Sequence, residues 1–454
     1  MRHFVYKALS ELQRAADATG AAHVRFTAGP DDVRGVLARP VRVGAFTVGN
    51  SIAIQPMEGC DGTLDGRPDE LTWRRYERFA RGGAKLIWFE ATAVREDGRA
   101  NTRQLWITQH NVADFTRLLA RIREVHREHW GRTEDLLVPI QLTHSGRYSV
   151  PRRIIAYRNP HIDKKTGTPP GYPSIADDEL ERLEDDYVSA AGLALDAGFQ
   201  AVDIKAVHGY LVSELLGAKT RDGRYGGPLD NRLRFICNVI GKLRATYGNR
   251  LLIAIRMNAF DGVPFGCAFE TPYPYGWGVD AANPLREDLR EVKRAIGRFR
   301  ELGVELLNVS MGSPYYNPHV VRPFEKPDEG NYEQPEHPLL GVDRHFRIAG
   351  ELQRAFPDLP IVGSGYSWLQ KYAINAGAHN IADGGIRFLG IGRGALAYPD
   401  FARDALEKGE LDERRCCKTL TYCTYLMRQK LPTGCPPFDK EGYGELIKLA
   451  RHRR

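Results

Sequence analysis

Eight short apolar runs, each followed by a longer segment with helical periodicity, govern what this chain can fold into. The runs are Ser51–Gln55 (SIAIQ), Leu86–Glu90 (LIWFE), Leu137–Leu142 (LVPIQL), Ala201–Lys205 (AVDIK), Leu251–Met257 (LLIAIRM), Leu306–Ser310 (LLNVS), Pro360–Ser364 (PIVGS) and Phe388–Gly392 (FLGIG). Runs this rich in apolar and β-branched residues read as strands buried on both faces, as in parallel sheets. Helical patterns occupy Glu70–Arg81, Val112–Arg127, Asp177–Asp196, Asp230–Arg244 and Arg286–Leu302. Eight alternating units predict an α/β fold, a (β/α)8 TIM barrel. A doubly wound sheet is the alternative, but it more often carries a glycine fingerprint after its first strand, and none follows Gln55.

At 454 residues the chain has room for one such barrel with additions at both ends. Residues 1–40 read as a helical N-terminal extension, 41–408 as the barrel, and 409–454 as a C-terminal segment with a cluster of cysteines. Two stretches, Arg152–Pro173 and Val263–Pro284, are rich in Pro, Gly and aromatics and too long for turns. Both follow strands, so they are expected to enclose a substrate at the barrel mouth.

Charge and composition remove several classes of function. Apolar residues at 42% and charged residues at 27% are ordinary for a globular protein. No run approaches the ~20 apolar residues of a membrane span. The start, MRHFVYKALSELQRAADATG, is charged throughout and lacks an apolar signal core, so the cytoplasm is the expected location. The net charge of +7 is dispersed, and only Arg451, His452, Arg453 and Arg454 gather at one place, so nucleic acid is not an expected partner. A small-molecule substrate is, with homo-oligomerisation left open. The seven cysteines do not read as a disulfide framework.

A barrel demands that chemically active residues stand just after its strands. Pro56, Met57, Glu58, Gly59 and Cys60 follow the first; Gln141, Thr143, His144 and Arg147 close the third. The fourth ends in Lys205, His208, Gly209 and Tyr210, and the fifth contains Arg256. Gly363, Ser364 and Gly365 end the seventh, and Gly392, Arg393 and Gly394 the eighth. Glycines there let backbone N–H groups approach an anion closely, and on this fold those two strand ends are the usual phosphate position.

These residues carry a family resemblance over about residues 41–405. PMEG at Pro56–Gly59, QLTHSGR at Gln141–Arg147, HGYLVSELL at His208–Leu216, TRDGRYGGPLDNRLRF at Thr220–Phe235, IRMN at Ile255–Asn258 and GIGRGALAYPDF at Gly390–Phe401 resemble the old yellow enzyme family of FMN-dependent ene-reductases. They are most similar to the barrel portion of bacterial dienoyl-CoA reductases. The resemblance implies FMN as cofactor, NAD(P)H as electron donor and an α,β-unsaturated carbonyl as substrate. It implies that Gln141 binds the flavin pyrimidine edge, that Arg256 faces the N1/C2=O region, and that Gly365, Gly392 and Arg393 hold the phosphate, with Pro56, Met57, Glu58, Gly363 and Ser364 also at the cofactor. Tyr210 aligns with the family's proton donor, and Lys205 and His208 with its carbonyl-binding pair.

Three departures stand out. Lys205 replaces the first imidazole of that pair; an ammonium can polarise a carbonyl or bind a carboxylate. Glu58 stands where relatives place Thr or Cys, and is expected to pair with Lys205. Relatives near dienoyl-CoA reductase hold a [4Fe–4S] cluster with spacing C-x2-C-x3-C-x11-C; here Cys416, Cys423 and Cys435 match while Thr419 fills the second position and Cys417 is out of register. The cluster reads as lost rather than kept, no metal ligand is assigned, and a three-cysteine cluster or zinc is the alternative. The leading function is an FMN-dependent ene-reductase. The alternatives are an FMN-dependent amine or C–H dehydrogenase or oxidase, and a flavin-free barrel serving as a binding protein.

Overall fold

The computed structural model describes residues 3–325 and 332–452, so Arg453 and Arg454 of the basic tail lie outside the described residues. A two-stranded antiparallel hairpin, β1 (Val41–Val43) and β2 (Phe46–Val48), precedes the parallel strands. These are β3 (Ile52–Ile54), β4 (Leu86–Ile87), β5 (Phe89–Ala93), β6 (Pro139–Thr143), β7 (Ala201–Ala206), β8 (Leu252–Phe260), β9 (Leu306–Met311), β10 (Ile361–Gly363) and β11 (Phe388–Ile391). Their order is β4-β3-β11-β10-β9-β8-β7-β6-β5. β4 and β5 are two halves of one stave interrupted at Trp88, and Leu86 also bridges to Leu137, so the ring closes as a (β/α)8 barrel.

All eight apolar runs became staves, and the period of two explains their composition. One set of side chains, including Ile54, Phe89, Ile140, Ile204, Ile255, Leu307 and Leu389, packs outward against the helices. The other set points into the lumen. Ala53, Trp88, Ala201, Ala254, Leu306, Val362 and Phe388 fill its lower layer, and Val43 and Val48 of the hairpin plug it from below. One step up the same strands stand Gln55, Glu90, Gln141, Asp203, Arg256 and Asn308, all buried. Side chains two apart on a strand share a face, so this apolar floor sets a polar ceiling facing the mouth.

The expected helices form at Glu70–Arg81, Val112–Trp130, Asp177–Asp196, Leu229–Tyr247 and Arg290–Glu301. The first 40 residues contain helices Leu9–Ala18 and Pro30–Leu37, whose Leu12, Ala16, Val33 and Leu37 are buried in the main core. The C-terminal segment carries helices Tyr422–Arg428 and Lys440–His452 with a small core of their own. It is fastened to the first stave's loop by Thr433 N donating to Gly59 O at 2.6 Å, and to the helix Glu70–Arg81 by Arg74 donating to Asp439 at 2.8 Å. Among the described residues no helix is long and apolar enough to cross a membrane.

Candidate active site

A cavity of about 1100 Å3 opens at the C-terminal ends of the staves. Pro56, Met57, Glu58, Gln141, Lys205, His208, Tyr210, Arg256, Ser364, Gly365, Gly392 and Arg393 all line it, gathered from six staves. Gly363 does not; it sits below, its carbonyl accepting a hydrogen bond from Gln55 Nε2 at 3.1 Å. His144 is also outside the lining, buried with its Nδ1 accepting from Gly146 N at 3.1 Å.

The first loop is held by a buried clamp. Arg75 bonds both Asp61 and Glu90, and Glu90 Oε2 accepts from Gly59 N at 2.6 Å. A Cβ at Gly59 would collide with the Arg75 guanidinium, so PMEG needs its glycine for this close approach. Burial pushes the Glu90 carboxyl up to about 7, against the pull of Arg75. Across the lumen Asp203 accepts three bonds: from Gln141 Nε2 at 2.6 Å, Trp88 Nε1 at 2.9 Å and the backbone N–H of Arg256 at 2.5 Å. Desolvation raises its pKa to about 6. Asp203 thereby fixes both the Gln141 amide and the strand position of Arg256.

Glu58 and Lys205 form an ion pair at the centre of the cavity, and Lys205 is only 3% exposed. Tyr210 OH donates to the other oxygen of Glu58 at 3.0 Å. It also lies 2.9 Å from the hydroxyl of Tyr315. The Lys205 ammonium sits 3.7 Å from the centre of the Tyr210 ring, a cation–π contact. Burial, with Glu58 next in importance, pushes the Tyr210 phenol well up, so it stays protonated. Burial lowers the Lys205 pKa, and Glu58 opposes that. His208 has φ +66°, a left-handed conformation costing on the order of 1–3 kcal/mol in a non-glycine residue. Ser313 Oγ secures that turn by donating to the His208 carbonyl at 3.0 Å. Burial depresses the imidazole pKa well below its ordinary value, leaving His208 neutral, with a buried Nε2 that has no partner.

Whether FMN fits is decided by what the protein leaves unsatisfied. Arg256 Nε and Arg393 Nη1 are buried without a partner, as are Nε and Nη2 of Arg322. Buried cations without partners are costly. Three guanidiniums lining one cavity suit a flat, polar-edged ring carrying a phosphate. Gly392 is open toward the cavity, and at Gly390 a Cβ would strike the Gln55 side chain and the Gly363 carbonyl, so glycine is required in the last stave.

Several lining residues escaped the reading of the sequence. Tyr315 and Arg322 follow the sixth stave, β9, a strand end where no residues were singled out. The strand-end rule points to the segment NVSMGSPYYNPHVVRP but not to which of its side chains enter the cavity. Asp203, which supports Gln141 and Arg256 without lining the cavity, is a carboxylate inside an apolar run. Cys423, Thr424, Met427 and Thr433 bring the C-terminal segment over the cavity, which no local pattern announces.

Two expectations need correction. The aromatic loop at 264–277 does not line the main cavity. Tyr273 and Trp277 are buried in the core and Tyr275 stacks on Tyr157 at 6.5 Å, so the loop braces its neighbour at Arg152–Pro173. The cysteines use a different register from the one the spacing suggested. Cys417, Cys423 and Cys435 surround a second cavity of about 530 Å3, while Cys416 is buried and donates to the Asp412 carbonyl at 3.4 Å. Thr419 lines that cavity too. All seven cysteines are free, and among the described residues no group of three or more His, Cys, Asp or Glu is placed to hold a metal ion. The residues present do not fit a four-thiolate iron–sulfur cluster.

A family model described as the NADH:flavin oxidoreductase / NADH oxidase family matches residues 36–274. The NADPH dehydrogenase of Geobacillus sp. (strain WCH70) is 31% identical over 283 residues, covering 61% of this chain and 73% of that protein. Among solved structures, a 2-naphthoyl-CoA reductase in complex with 2-naphthoyl-CoA superimposes with a TM-score of 0.69 at 16% identity, over 90% of this chain but only 58% of that one. An old yellow enzyme homologue from Zymomonas mobilis gives a TM-score of 0.59 at 23% identity, over 83% of this chain and 94% of that one. At these identities the two structures speak for the fold.

Proposed function

The chain belongs to the NADH:flavin oxidoreductase / NADH oxidase family, and on that premise we propose that it reduces the C=C bond of an α,β-unsaturated carbonyl. It is an FMN-dependent NAD(P)H oxidoreductase of the old yellow enzyme type. FMN, when bound, supplies a centre that takes hydride from NAD(P)H and yields it to a second substrate.

The observation that carries the narrower reading is Tyr210. Its protonated hydroxyl is held by Glu58 and Tyr315, beside Lys205 and the unpartnered His208. A hydride transfer to an alkene needs two further contributions: polarisation of the conjugated carbonyl, and a proton for the carbon next to it. Lys205 and His208 can supply the first and Tyr210 the second. Hydride adds to the β-carbon; the proton leaves Tyr210 Oη for the α-carbon, and Tyr315 is placed to return a proton to Tyr210.

The remaining side chains bind and orient. Gln141 would meet the flavin pyrimidine edge, and Arg256 would offset negative charge there, with burial holding its own pKa at about 10. Arg393 with Gly365 and Gly392 would hold the phosphate. On this reading residues 41–408 are the FMN-binding unit and the terminal segments buttress it.

The test is anaerobic turnover of 2-cyclohexenone by FMN-loaded protein with NADH or NADPH, the product identified by gas chromatography. Cyclohexanone formed in step with cofactor oxidation supports the reading. NAD(P)H consumed only when oxygen is present would favour an oxidase.

A further inference from the structure

A third cavity, open and about 1120 Å3, adjoins the active site, and its charge is one-sided. Tyr315 lines both cavities, so one wall is common to them. That wall is stiff: Tyr315 stacks on Tyr148 with ring centres 3.8 Å apart and planes 16° from parallel. The lining includes five cationic residues and no Asp or Glu. One of the five, Arg147, is neutralised from behind by Asp163 and Glu214. The other four are not. Arg153 donates to the carbonyls of Thr166 and Gly167 at 2.5 and 3.4 Å and meets no carboxylate among the described residues. Arg152, Lys165 and Lys430 form no ion pair among the described residues.

Many arginines elsewhere on the surface face carboxylates, as Arg224 does with Asp178 and Glu181, and Arg95 with Asp97 and Glu179. What sets this basin apart is that its cations gather in one concavity whose lining holds no carboxylate. Here one loop contributes Arg152, Arg153 and Lys165, while Lys430 comes from the C-terminal segment, and all converge on one concavity. Such a concavity concentrates positive potential and attracts anions. It is one side chain away from Tyr210, because the shared Tyr315 hydroxyl lies 2.9 Å from that of Tyr210.

We propose that this basin is an anion-binding subsite, and that the substrate is an activated alkene carrying a carboxylate or phosphate on an arm long enough to pass Tyr315. This names the substrate class within the ene-reductase reading and rests on it. Arg152, Lys165 and Lys430 are exposed, so the subsite acts through screened charge attraction more than through fixed hydrogen bonds. Selectivity should therefore fall as salt rises.

The experiment uses the FMN-loaded full chain and three matched ketones: 4-phenylbut-3-en-2-one, its para-carboxylate and its para-phosphonate. At low ionic strength at least one anionic ketone should exceed the neutral one by about tenfold or more in kcat/KM, mainly through KM. The larger ratio tells carboxylate from phosphate as the source. In the triple variant Arg152→Gln, Lys165→Gln, Lys430→Gln, or in 0.5 M salt, that ratio should fall toward one. A ratio near one in the wild type, or one that survives the triple variant, overturns the inference. Were none of the ketones reduced, the ene-reductase reading would fail instead. The subsite is then judged from dissociation constants read as shifts of the flavin absorption bands, and equal constants for neutral and anionic ketones overturn it.

Discussion

Lys205 and Glu58, 147 positions apart in the chain, meet as a buried ion pair where the fourth and first staves end. Each offsets the other's charge. The pair also does more than neutralise, because the second oxygen of Glu58 accepts the Tyr210 hydroxyl at 3.0 Å. In the proposed reaction, carbonyl polarisation and proton delivery would thus be assembled around one carboxylate.

Breaking that pair from one side leaves a buried charge alone, which costs ~3–5 kcal/mol. Lys205→Met and Glu58→Gln should each destabilise the fold by about that amount, and the double variant by much less than their sum. Flavin potential should move oppositely in the two singles: down when the carboxylate is left alone, up when the ammonium is. Chemical denaturation combined with reductive titration checks both, and additive losses would mean the two groups do not act as a pair.

Removing the Tyr210 hydroxyl should separate the half-reactions. Tyr210→Phe is expected to slow reoxidation by an enone by ~10²–10⁴-fold, the usual range for a lost general acid. Reduction by NAD(P)H, which takes no proton from Tyr210, should change little. Tyr315→Phe should have a smaller effect, confined to the same half-reaction and accompanied by an altered solvent isotope effect. Stopped-flow absorbance measures each step alone.

Arg322 carries two buried nitrogens without partners, and Arg393 raises the cost of its charge. Arg322→Met should therefore stabilise the FMN-free protein while weakening FMN binding, by about tenfold or more. Thermal melts with and without FMN would show the apo midpoint rising and the FMN-induced shift shrinking. Arg393→Met should weaken FMN at least as much. An unchanged FMN-induced shift in Arg322→Met would place this guanidinium away from the cofactor.

Asp203 gives a pH signature. Its pKa rises from 3.8 unfolded to about 6 in the fold, so the native state binds more protons across that interval. Stability contributed by the neutral carboxyl is fully present below pH 3.8 and is lost as pH rises through about 6, roughly 3 kcal/mol in all. Asp203→Asn has no such titration. Urea unfolding at pH 4 and pH 7 should show wild type losing about that much relative to the variant as pH rises, and a constant difference would contradict the assignment.

The barrel was legible in the sequence because a doubly buried strand must be apolar along its length, and runs such as LLIAIRM and AVDIK are. Cavity-lining positions were legible where a polar residue interrupts such a run at its end, as Lys205 and Arg256 do. Tyr315 and Arg322 were not, because they lie several residues beyond β9 in a loop whose path depends on tertiary packing. Their proximity to Tyr210 and Arg393 is a long-range fact. The cysteine register failed for a related reason: spacing counts residues, while burial of Cys416 against Asp412 decides which thiol faces the cavity. The aromatic loop misled because aromatics serve bracing and binding alike, and composition does not distinguish them.

The most direct measurement is a double-mixing experiment under anaerobic conditions. FMN-loaded protein is first reduced with one equivalent of NADPH and then mixed with 2-cyclohexenone. The expected result is loss of the oxidised flavin band in the first step, its full return in the second, and one cyclohexanone per flavin. A band that bleaches but does not return with the enone, and returns with oxygen alone, would contradict alkene reduction.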